Sequence, residues 1–157
     1  MRREKDIKIY NILFPIWLFY FWPTPFWMLI APINAAIDCL VLYLTERYYK
    51  IDYRWGIWSK CAWKVCVFGF LSDFIGAGLI FWIYYALGNL TSWDTFHFPG
   101  TTLISIPGVI LSGVLIYILN KKFSFSKTNL DGESVKKFAL ILAVFTAPYP
   151  MLIPLYG

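Results

Sequence analysis

Residues 61–87 read CAWKVCVFGFLSDFIGAGLIFWIYYAL, and after Lys64 the only charged side chain in that run is Asp73. A helix rises about 1.5 Å per residue, so roughly 20 apolar residues cross the ~30 Å hydrocarbon core of a bilayer. The run is long enough and apolar enough to be a transmembrane helix, and the rest of the chain agrees. Its 157 residues are 59% hydrophobic, 21% aromatic and 15% charged, with a mean hydropathy of +0.60. A soluble domain carries about 25% charged and about 45–50% apolar residues. This balance excludes a water-soluble globule and a disordered chain, and three cysteines are too few for a disulfide scaffold. The expected fold is an all-α integral membrane bundle forming one domain over residues 1–157.

Working outward from that helix, the next run towards the N-terminus is polar and aromatic. Residues 46–60, ERYYKIDYRWGIWSK, interleave cations with Tyr and Trp. In a soluble protein the mixture would fit single-stranded nucleic acid. Between two apolar runs it reads as an interfacial segment, with rings at headgroup depth and Lys and Arg reaching an anionic cytoplasmic leaflet. No nucleic-acid partner is therefore expected. Residues 9–44 are uncharged except for Asp38, too long for one crossing. Trp22-Pro23-Thr24-Pro25 divides them, because proline disfavours helix before it and is welcome in the first turn after it. This predicts a helical hairpin with spans near 7–22 and 25–46; a single long kinked helix is the alternative.

Towards the C-terminus, a loop at 88–101 leads to a fourth span near 102–119. The polar loop 120–134 leads to a fifth near 135–155, with Asp131 or Ser134 as its N-cap. In this five-span map every one of the 14 cations falls on one side: Arg2, Arg3, Lys5 and Lys8; Arg47, Lys50, Arg54, Lys60 and Lys64; Lys121, Lys122, Lys127, Lys136 and Lys137. Short loops rich in Lys and Arg stay in the cytoplasm. The N-terminus is thus expected inside, the C-terminus outside, and the protein in the cell (inner) membrane. No secretory cleavage pattern and no lipidation signal is evident. Cys39, Cys61 and Cys66 match no metal or redox spacing, and no disulfide is expected.

Two acids fall at bilayer depth, where a charge costs about 2.5–3.5 kcal/mol on insertion scales. Asp38 shares a helix face with Ala31, Asn34 and Ala35; Asp73 shares one with Gly69, Gly76 and Ala77. Stripes of small residues are where membrane helices approach closely. Counted from the cytoplasmic edge, Asp38 lies about 12 Å deep and Asp73 about 15–18 Å. Neighbouring carboxylates in a low-dielectric site cannot both stay ionised uncompensated: one takes a proton, or a cation sits between them. Asp38, Asp73, Asn34 and Ser72 are accordingly the candidate site for a proton or small cation, with no metal identity implied. The structural alternative is a pair of protonated acids bonding helix to helix.

The fourth span presents Ser105, Gly108 and Ser112 on one face, either a passage lining or a packing seam. The fifth is broken at Thr146-Ala147-Pro148-Tyr149-Pro150. Carbonyls freed there can bind ions if they line a cavity, or the break is a frayed end. His97, the single histidine, sits near Asp94 in a loop, either solvated or sensing external pH. No catalytic triad, HExxH or phosphate-cradling loop occurs, and the Gly and Tyr pattern of intramembrane aspartyl proteases is absent. No enzymatic activity and no cofactor are expected. The functional expectation is a small multi-pass protein that transports or senses a proton or small cation. The alternatives are a non-catalytic anchor or regulatory subunit of a larger complex, or a carrier of a hydrophobic or aromatic molecule. The partners expected are the bilayer and the cation, with a second copy or a partner subunit under the alternatives.

Overall fold

The computed structural model describes residues 25–49, 57–88 and 99–153. Four α-helices make up most of them: α1 Pro25–Tyr48, α2 Trp58–Gly88, α3 Gly100–Leu119 and α4 Gly132–Phe145. A π-helical turn, Asn120–Ser124, continues α3, and a 3-10 turn, Tyr149–Leu152, follows α4. Among the described residues 87% are helical and none is in a strand, so the chain is all-α. Three segments are long and apolar enough to cross a membrane: Trp58–Leu87, Gly100–Ser124 and Gly132–Leu152. They correspond to the expected third, fourth and fifth spans. The helix expected near 25–46 is α1. The first expected span, most of the interfacial segment and most of the 88–101 loop, including Asp94 and His97, lie outside the described residues.

Local chemistry explains the boundaries. Pro25 stands in the first described turn of α1, which its fixed φ suits. α4 begins after Asp131, whose carboxylate accepts from the Ser134 N–H at 3.1 Å; of the two caps expected, Asp131 is the one used. The segment Gly132–Leu152 is not one continuous helix. Pro148 has no N–H to offer the Val144 carbonyl, and the Tyr149 hydroxyl donates to it instead, at 2.8 Å. The 3-10 turn is then tied to α3 by the Thr102 hydroxyl, which donates to the Leu152 carbonyl at 3.0 Å. Met151 and Ala147 are buried. The break is a packed part of the bundle and not a frayed end.

The core has two apolar clusters. Leu42, Val65, Ile116, Phe125, Phe138 and Leu142 fill the end near the 120–131 loop, and Ala77, Ile80, Ile104, Val109 and Met151 the opposite end. At the first end Asn120 and Ser124 are buried and satisfied. Asn120 donates to the Ile116 carbonyl and Ser124 donates to the Asn120 side-chain oxygen, while the Cys61 thiol donates to the Ser124 carbonyl at 3.1 Å. At the second end α2 and α3 meet through glycine. A Cβ on Gly76 would lie 2.6 Å from the Gly108 carbonyl oxygen, and one on Gly108 would lie 2.6 Å from that of Gly76. Such contact lets two membrane helices pack backbone to backbone. Trp63, Trp82, Tyr85, Ile110, Leu140 and Phe145 point outward and are exposed, the distribution expected of a surface in contact with lipid tails.

Candidate functional site

Between the two clusters lies a layer of buried polar groups. Asp38 on α1 is 1% exposed and Asp73 on α2 is 4% exposed. Asp38 lies within electrostatic range of the Asp73 carboxyl. Their approach is permitted by Gly69: a Cβ there would sit 2.6 Å from Asp38 Oδ2, so the Asp38 carboxyl lies flat against the α2 backbone. The small-residue stripe therefore divides its work, with Gly69 receiving α1 and Gly76 receiving α3 about two turns further along.

The neighbours of the two acids differ. Asp73 Oδ1 accepts from the Ser112 hydroxyl of α3 at 2.6 Å, and the Asn34 carboxamide of α1 is a second hydrogen-bond partner. Asp38 has the Thr146 hydroxyl, at the end of α4, within hydrogen-bonding reach. That hydroxyl itself donates to the Leu142 carbonyl at 2.8 Å. Asp38 Oδ2 is buried with no hydrogen-bond partner. Four helices thus each contribute at least one polar side chain to one layer.

Asp73 and Asn34 also line a cavity of about 320 Å³, closed on the other side by Thr146, Pro148 and Tyr149 of the broken segment. Liquid water occupies about 30 Å³ per molecule, so the space admits a small hydrated cation. Among the described residues no Lys, Arg or His lines it. A second, apolar groove of about 600 Å³ runs between α3 and α4 past Gly113, Tyr117 and Ala143. Its described lining holds no charged residue and lacks the convergent polar groups that fix a ligand's orientation.

Of the residues singled out in the sequence, Asp38, Asp73 and Asn34 converge. Ser72 does not join them: it is fully buried, but its hydroxyl donates at 2.6 Å to the Phe68 carbonyl of its own helix. Ser112 and Thr146 join instead. Ser112 stood on the mildly polar face of the fourth span, and Thr146 opened the Pro-rich break, which were the available signals. The thiols of Cys39 and Cys66, which their spacing left unrelated, stand 3.4 Å apart across α1 and α2, and both are free. Among the described residues no group of three or more His, Cys, Asp or Glu is placed to hold a metal ion. No family model, no curated protein and no solved structure matches this chain, so the geometry of this polar layer is what the functional reading stands on.

Proposed function

We propose that this chain is a five-span inner-membrane protein, N-terminus in the cytoplasm, that transports or senses a proton or small cation at the Asp38–Asp73 layer. One observation carries the reading. Two buried carboxyls on neighbouring helices stand within electrostatic range, and one of them, Asp73, lines a cavity that no positively charged side chain among the described residues enters. Ionisable groups inside a membrane are expensive, and those that persist face a bundle interior or a water-filled space on an ion path. Interhelical hydrogen bonds average only about 0.6 kcal/mol in membrane proteins, a small return on the cost of inserting two acids. A purely structural role for the pair is therefore the weaker reading. The proline-broken segment that closes the cavity supplies the irregular backbone that transporters tolerate where it lines a cavity.

The test is reconstitution of the purified chain into liposomes, with proton movement followed by an internal pH dye and sodium uptake by a tracer. Wild type is expected to carry one of the two, and Asp73→Asn to lose it at least tenfold while keeping its helical signal and elution volume. Equal flux in wild type and Asp73→Asn, or none in wild type, overturns the reading.

A further inference from the structure

The two acids of the layer are not equivalent, and hydrogen-bond bookkeeping separates them. A threonine hydroxyl has one hydrogen to give. That of Thr146 goes to the Leu142 carbonyl, which can only accept. With that hydrogen engaged, Thr146 stands near Asp38 but gives its carboxyl no donor. The surroundings of the Asp38 oxygens point the same way. Oδ2 is sealed against Gly69 with no donor near it, tolerable for a neutral carboxyl and very costly for an ionised one.

Asp73 has the opposite surroundings. The Ser112 hydroxyl donates to its Oδ1, and the Asn34 carboxamide, which can donate through nitrogen, is its second partner. Two donors turned on one carboxyl stabilise its ionised form, and this is the acid that lines the cavity. Among the described residues, the titratable groups facing the pair are each other and, towards Asp38, the Cys66 thiol of α2.

We infer that Asp38 permanently holds a proton while Asp73 carries the charge, so that the layer presents one negative charge to the cavity and takes up one positive charge. The inference rests on the carboxylate-site reading above and narrows its cargo to a proton or a monovalent cation, excluding divalent ions by charge balance. Asp38 is then a positioning residue. Its neutral carboxyl seats α1 against Gly69 of α2, and Asp73 alone exchanges with the cavity.

Infrared difference spectroscopy on the full chain in liposomes at neutral pH tests this without measuring flux, so a failure of transport and a failure of this assignment are distinguishable. Wild type minus Asp38→Asn should contain the C=O stretch of a protonated carboxyl. Wild type minus Asp73→Asn should contain the paired bands of an ionised carboxylate. A protonated-carboxyl band that disappears with Asp73→Asn and survives Asp38→Asn overturns the assignment. For the cargo, the Asp73 carboxylate bands are followed against sodium chloride, magnesium chloride and acid. A shift with sodium identifies a monovalent metal ion, and loss on acidification alone identifies a proton. Magnesium acting at lower concentration than sodium, or bands indifferent to all three, overturns the single-charge site.

Discussion

At Gly69 the absence of a side chain decides how near α1 comes to α2. A methyl there would lie 2.6 Å from a carboxyl oxygen that is itself walled in. Gly69→Ala should therefore force the helices apart and cost about 1–3 kcal/mol, the usual range for an overpacked interior. Gly78 is the internal control, since a Cβ there meets nothing within 4 Å. Denaturant titrations of the two alanine variants in mixed micelles should show a lowered midpoint for Gly69→Ala only; equal midpoints would mean α1 does not seat on Gly69. At this scale the sequence was half legible. Asp38, Asp73 and Asn34 stand out because polar groups at bilayer depth need a reason. Which hydroxyls serve them does not stand out, because Ser and Thr in helices readily bond their own backbone four residues back. Ser72 and Thr146 both do so, and Thr146 is nonetheless placed beside an acid. Only packing separates these cases.

Among the elements, α4 has the plainest start. The Asp131 carboxylate accepts from the Ser134 amide at the positive end of the helix dipole, and that hydrogen bond holds its pKa below the ordinary value of 3.8. The sign follows from linkage. The group binds its proton more weakly folded than unfolded, so its stabilising effect is complete above the ordinary carboxylate value and is lost as pH falls through the lower folded value. The thermal midpoint of wild type should accordingly fall more steeply on acidification below pH ~4 than that of Asp131→Asn, which keeps an acceptor without the charge. Parallel acid limbs in the two proteins would show that the cap is not formed. Helix starts and breaks of this kind are written in local chemistry and were readable: Asp131 and Pro148 each act where they stand. The destination of the broken segment was not readable. Nothing local says that residues 146–150 fold back to close a cavity, because that depends on Thr102 and Met151 anchoring the following turn to α3.

For the whole molecule, charge distribution sets the orientation. The loop between α3 and α4 carries Lys121, Lys122 and Lys127 and lies at the same end of the bundle as Arg47, Lys60 and Lys64, where Lys64 donates to the Phe123 carbonyl at 3.4 Å. Under the five-span proposal that end is cytoplasmic. In a chain freed of its native cysteines, Thr128→Cys should resist a membrane-impermeant thiol reagent in intact cells and react after permeabilisation. Labelling from outside would invert the map. Hydropathy made the bundle and three of its crossings legible, since the cost of exposing backbone to lipid leaves helices as the only reading for such runs. It could not reveal how the crossings are ordered around one another, because lipid-facing and neighbour-facing apolar residues look alike in sequence. The glycine contact between α2 and α3 settles part of that arrangement and has a mechanical consequence. With main chain seated on main chain at Gly76 and Gly108, no side chain cushions the two helices there, so any bulkier residue at either position has to wedge α2 and α3 apart.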